Sequence, residues 1–163
     1  MTTFENPAES ADFRPLQAAG VALGIGMGGF VDGILLHQIL QIHNMLSARL
    51  PPDSLVNVEI NMAWDGLFHA FTWCMTAVGI ALLWRAARHP RVLHSTPVLV
   101  GAMIQGWGCF NLVEGILDHH ILGLHHVVER LGTSVYDYLF LASGVGFILI
   151  GERVVRGGRI FRA

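Results

Sequence analysis

Four apolar stretches, each about long enough to cross a bilayer, alternate along the chain with short polar connections. Residues 16–36 form the first and contain a single charge, Asp32. Residues 62–84 form the second, apolar except for Asp65 and His69 near its start. Residues 97–117 form the third, with Glu114 as its only intramembrane charge, and the fourth runs from 135 to about 151. An α-helix rises 1.5 Å per residue, so about twenty residues cross a hydrocarbon core of roughly 30 Å. The pattern predicts an all-α fold, an integral membrane four-helix bundle. No proline interrupts the ten residues after the first span, so that helix is expected to project past the membrane to about Leu46. Residues 46–61 carry Pro51-Pro52-Asp53-Ser54 and read as an exposed, turn-rich loop. Pro97 suits a first helical turn.

The pattern is doubled. Residues 31–45 read VDGILLHQILQIHNM and residues 113–127 read VEGILDHHILGLHHV, with eight identities at a constant offset of 82 and Asp32 paired with Glu114. Gly24/Gly106 and Gly26/Gly108 keep that offset; at an offset of 72, Asp65-Gly-Leu-Phe68 matches Asp137-Tyr-Leu-Phe140, and Gly79 matches Gly151. Each unit holds two spans, an even number, so two tandem repeats in parallel orientation are expected, related by a pseudo-two-fold along the membrane normal. The expected division is a tail at 1–15, a first two-span repeat at 16–84, a basic loop at 85–96, a second two-span repeat at 97–151 and a basic tail at 152–163. Gly20, Gly24 and Gly28 recur every four residues, as do Gly29 and Gly33, which lets helices approach closely and offers faces for an oligomer.

Composition agrees with a membrane chain: 53% hydrophobic residues, 13% charged and a mean hydropathy of +0.53. Lysine is absent, and all ten basic residues are arginine. A net charge of -2 offers no basic face for nucleic acid. Arg85, Arg88 and Arg91 lie between spans two and three, and Arg153, Arg156, Arg159 and Arg162 follow span four, while the opposite connections hold only Arg49 and Arg130. The positive-inside rule then makes both termini and the central loop cytoplasmic. The expected location is a bacterial inner membrane, with the histidine-rich ends outside. The acidic MTTFENPAES lacks the basic and apolar regions of a cleaved signal peptide and reads as a tail. Cys74 and Cys109 fall inside apolar runs and read as packing residues.

Ionisable groups inside a span are costly and normally pair, face the bundle interior or bind something. Imidazole and carboxylate from facing helices make the ligand set of a non-haem iron, manganese or zinc centre, and a dinuclear one fits the duplication. At 100° per residue, Glu114, Asp118 and His125 share a face within about 40°, and Asp32 shares the equivalent face with His43. His37 and His119 lie about 120–140° away. Along a straight helix Asp32 and His43 are on the order of 16 Å apart. Either each half carries two clusters, or the helix breaks beyond the membrane boundary, with Gly123 a candidate. The metal site is expected at Asp32, His37, Asp65, His69, Glu114, His119 and Asp137. His43, Asp118, His120, His125 and His126 are expected to support it or to form an outer site. The same groups could instead form a metal-free hydrogen-bond network that fixes helix register. His89 and His94 read as surface residues.

The stretches GGFVDGILLHQILQIHNML, DGLFH and EGILDHHILGLHHV together resemble an uncharacterised family of bacterial multi-span membrane proteins known only as a domain of unknown function. The resemblance covers residues 20–151 and implies a membrane location, with an association to respiratory oxidase assembly that would mean metal handling. A looser similarity is to the histidine-box membrane desaturases and hydroxylases, which use clustered histidines for two irons. The HHxxxxHH at 119–126 departs from their HxxxH and HxxHH boxes. Three functions follow: a membrane metalloenzyme using iron or zinc, a non-catalytic metal carrier or assembly factor serving a membrane or extracytoplasmic partner, and a haem-binding electron carrier pairing His69 with His37 or His119. Copper(I) would prefer soft Met and Cys ligands, and neither cysteine is grouped with the histidines.

Overall fold

Pro15 opens the first helix, where its missing N–H costs nothing, and in the computed structural model this helix, α1, spans Arg14–Val31. The structure describes residues 12–90, 92 and 94–160. The N-terminal residues 1–11 of the expected tail, and Arg91 and Arg162 of the orientation argument, lie outside the described residues. Three further helices follow, α2 at Leu55–Ala87, α3 at Thr96–Glu114 and α4 at Val135–Ile160. All four, with the π-helical turns that continue α1 and α3, are long and apolar enough to cross a membrane. Among the described residues there is no strand beyond an isolated bridge between Asp12 and Val92.

Two helices run longer than their apolar stretches. Ser54 caps α2 by accepting the Asn57 N–H at 3.3 Å, and Asn61 donates to Leu50 O at 2.8 Å, so part of the expected loop is helical. α4 continues through Arg153, Arg156 and Arg159 to Ile160, with the Arg156–Glu152 pair one turn apart at 2.6 Å.

α1 and α3 stand at the centre, each packed on the other, with α2 outside α1 and α4 outside α3. Among the described residues the α2 backbone stays clear of α3 and α4, and α2 meets α3 through Phe68 against Phe110, ring centroids 6.0 Å apart. The central pair touches through backbone: a methyl group on Gly24 would collide with Met103 O, and one on Gly106 with Val21 O. The two collisions sit 82 residues apart on both sides. The seam of Gly20, Gly24 and Gly28 is therefore used within the chain against α3. α2 and α4 present Trp64, Leu67, Trp73, Tyr138, Leu139 and Leu149 outwards, as lipid-facing helices should. Leu16, Ala86, Val92, Val98 and Val155 close the arginine-rich end.

The first helix does not reach Leu46. It turns π-helical over Asp32–Ile39 and stops, and the third does the same over Gly115–Ile121. Leu40 N–H bonds to Leu35 O at 2.8 Å and Leu122 N–H to Leu117 O at 2.7 Å. Ile42 and Leu124 then close wider loops onto Leu36 O and Asp118 O. At the reversal Gln41 has φ +50° and Gly123 +54°. The chain then folds back over the end of the bundle, where Ala48 N–H bonds to Leu124 O and Glu129 N–H to Ile42 O.

Candidate metal centre

The π-helical turns set the phase of the site. In an α-helix a residue five positions on sits about 140° round, whereas an i→i+5 ladder stacks it nearly above its partner. Asp32 and His37 are five apart, and His37 Nε2 lies 3.1 Å from Asp32 Oδ2. Glu114 and His119 have the same spacing at the same place in the second turn. The reversals then return the later histidines to the same level: His43 Nε2 is 4.0 Å from Asp32 Oδ2, and His125 Nε2 is 3.5 Å from Glu114 Oε1.

Each of the four imidazoles has its Nδ1 beside a group that can only accept a proton. His37 Nδ1 lies 2.9 Å from Asp65 Oδ1, and His119 Nδ1 is 3.3 Å from Asp137 Oδ1. His43 Nδ1 faces Val127 O at 3.0 Å, and His125 Nδ1 faces Met45 O at 3.2 Å. For His37, His43 and His125 a proton on Nδ1 satisfies that contact and turns the Nε2 lone pair inwards, whereas His119 Nδ1 makes no hydrogen bond in the protein. The Nε2 atoms converge: those of His119 and His125 are 3.2 Å apart, hydrogen-bond distance when either ring carries its proton there. His125, which lies beyond the membrane-spanning segments, is pushed well below the usual imidazole range by burial and then by neighbouring His43, His119 and His37, so it is neutral near pH 7.

Six side chains form the cluster: Asp32, His37, His43, Glu114, His119 and His125, none more than 5% exposed. Three overlapping sets of three, His37/His43/His125, Glu114/His119/His125 and Asp32/His37/Glu114, each bring ligand atoms within 4.8 Å of one another. Asp32 Oδ2, His37 Nε2, His43 Nε2 and both Glu114 oxygens are buried without a hydrogen-bond partner in the protein. Buried polar atoms are normally satisfied. Neighbouring ligands on one ion with bonds of ~2.1 Å lie about 3–3.4 Å apart, the range of the shorter contacts here.

Asp65 and Asp137 hold the histidines without entering these sets. Asp65 accepts His37 Nδ1, Met45 N–H at 2.8 Å and Asn44 Nδ2 at 2.9 Å. Asp137 accepts Val127 N–H at 3.0 Å and Ser134 N–H at 2.8 Å beside His119. His69 stands apart, its Nδ1 2.7 Å from Asp65 O one turn back on its own helix. His120 turns onto Gly115 O at 2.7 Å, and His126 lies 3.6 Å from Asp137. Asp118 is half-buried beside Glu114 in the wall of a cleft. The residues placed outside the expected centre but brought into it are His43 and His125; both are identities of the internal duplication, whereas His69 pairs with Leu141, His120 with Gln38 and Asp118 with Leu36.

The family model DUF2243, described as a predicted membrane protein, matches residues 19–158. The chain belongs to this family. Both π-helical turns, both reversals and all six converging residues fall inside the family match. Neither the curated proteins nor the solved structures contain a match to the chain.

Proposed function

We propose that this family member is an integral membrane metalloprotein that holds iron or zinc between Asp32, His37, His43, Glu114, His119 and His125, and works as a membrane metalloenzyme. The observation that carries this reading is the set of buried ligand atoms with no hydrogen-bond partner in the protein, Asp32 Oδ2, His37 Nε2, His43 Nε2 and both Glu114 oxygens, gathered at one level. A cation bound among them would satisfy all of these at once. Imidazole with carboxylate suits iron or zinc, and two carboxylates neutralise one divalent ion in a site of low dielectric.

The arrangement favours chemistry over transfer. A carrier must expose its ligands to a partner, and these are buried. Glu114 instead borders an apolar cleft of about 420 Å³, which gives a reactant access to one edge of the centre. A bound ion would supply Lewis acidity and acidify water there, and Glu114, on the cleft side, would be the carboxylate to take a proton. Haem fits less well, because His43 and His125 stack at 4.6 Å and leave no flat slot between them. By the distribution of arginines, the centre faces the extracytoplasmic side of a bacterial inner membrane, and the two halves are a tandem repeat about an axis between α1 and α3.

Metal analysis of the detergent-purified chain tests this. The expected result is iron or zinc at one or two per chain, released by a chelator with loss of thermal stability. A folded protein that purifies free of metal and gains no stability from iron or zinc overturns the reading and leaves a register-fixing hydrogen-bond network.

A further inference from the structure

The cleft beside Glu114 opens between α2 and α3, whose backbones stay apart and which meet through Phe68 and Phe110 in its wall, and its lining includes the exposed Leu67 and Val113. A molecule can therefore reach it from the hydrocarbon phase. Its walls are aromatic, with Trp64, Phe68, Phe71 and Phe110, and its acidic groups are Glu114 and Asp118. Carboxylates only accept hydrogen bonds when ionised. Both Glu114 oxygens lack a partner in the protein, and the residue is 4% exposed.

A smaller cleft of about 180 Å³ lies on the opposite flank and is built from corresponding positions: Asp32 stands for Glu114, Val31 for Val113, Leu35 for Leu117 and Phe140 for Phe68. Two of the differences between them bear on access and polarity. Trp107 occupies the place of Ile25, lying 2.6 Å from a methyl position on Gly28 and packing edge-on against Phe147 at 5.3 Å. Leu36 occupies the place of Asp118. One flank is thus narrower and carries the neutral Asn111 and Ser143 with its carboxylate, while the other is open and has a second acid.

We propose that the larger cleft binds a lipid-soluble alcohol or phenol, whose single O–H donates to the acidic pair Glu114 and Asp118, one carboxylate at a time, at the edge of the centre. This rests on the metalloenzyme reading and names its substrate class. At roughly 30 Å³ per heavy atom the cleft takes a body of about a dozen atoms. An ammonium could also donate, but it would have to cross hydrocarbon as a charge, whereas a hydroxyl partitions with its apolar body. Aromatic walls favour a ring in that body.

The probe is an alkylphenol carrying a diazirine, photolysed with the purified protein in lipid nanodiscs, and cross-links are mapped by mass spectrometry. Competitors are 4-octylphenol and its methyl ether, which differ only in the donor. Labelling is expected at cleft residues, with the phenol about tenfold or more better than the ether as competitor, the worth of one hydrogen bond to a carboxylate. Val113→Trp, at a lipid-facing position, should abolish labelling, and Asp118→Leu should narrow the gap between the competitors. Both variants should keep their metal. Equal competition by phenol and ether, or labelling spread outside the cleft, overturns the proposal and leaves acyl chains as the occupant. Selective labelling of a chain that binds no metal would sink the metal centre alone, whereas bound metal with unselective labelling would sink this inference alone.

Discussion

His43 and His125 lie face to face, ring centroids 4.6 Å apart and planes 18° from parallel, and each directs Nδ1 at the main chain of the segment carrying the other. Neither ring can leave without freeing the opposite reversal. His43→Ala and His125→Ala should each abolish stoichiometric metal binding, whereas His69→Ala, whose ring bonds its own helix, should retain it. Metal content of the three purified variants decides between this centre and one containing His69.

The four spans were legible because the bilayer demands about twenty apolar residues per crossing, and no competing element has that signature. The depth of the site was legible too, since Asp32, Asp65, Glu114 and Asp137 are acids within or beside apolar runs. The ligand phase was not. Helical-wheel arithmetic at 100° per residue separates Asp32 from His37, and only the π-helical ladder brings them to 3.1 Å. No residue type announces that ladder. His43 and His125 were displaced outward by the same assumption, a straight helix, although their identity across the duplication marked them as equivalent. His69, unmatched at Leu141, carried the opposite mark.

Asp65 and Asp137 orient His37 and His119, so their removal tests positioning separately from ligation. In Asp65→Asn one oxygen is replaced by a donor, which opposes the Asn44 or Met45 donor or His37 itself. Support of this kind is worth about 10–100-fold in metal affinity. Both Asp65→Asn and Asp137→Asn should weaken binding by that order in competition titrations with a chromogenic chelator, while leaving one or two sites per chain at saturation.

The α1–α3 contact leaves no room for a side chain. Gly24→Ala or Gly106→Ala should cost about 3 kcal/mol or more, since the added methyl meets a carbonyl oxygen of the facing helix. Gly146→Ala, where nothing lies within 4 Å, should be neutral or slightly stabilising by helix propensity. Thermal unfolding in detergent would separate them, and equal melting temperatures would contradict the close approach.

Gln41 pays for its left-handed conformation where Gly123 does not. With φ +50° and an exposed side chain, Gln41→Gly should stabilise the first reversal by about 1 kcal/mol, and Gly123→Ala should destabilise the second by a similar amount. The two shifts in melting temperature should have opposite signs. Metal content should be unchanged in Gln41→Gly, because the reversal it favours is the one that returns His43.

Acid should release the ion and weaken the fold together. His125 is held below its ordinary value of 6.5 by burial and by the neighbouring imidazoles, so below that pH the unfolded chain takes up a proton that the folded chain refuses. Stability then falls with pH, starting near 6.5 and continuing to the depressed value of the folded state. Metal adds to the slope, because each ligand imidazole must stay unprotonated to bind. The expected profile is full occupancy at pH 7.5, progressive loss below about pH 6, and a melting temperature of the chelator-treated protein that also declines over that range. His125→Asn removes the titrating ring, so its metal-free form should show a flatter decline. An equally steep slope in that variant would place the acid sensitivity elsewhere in the cluster.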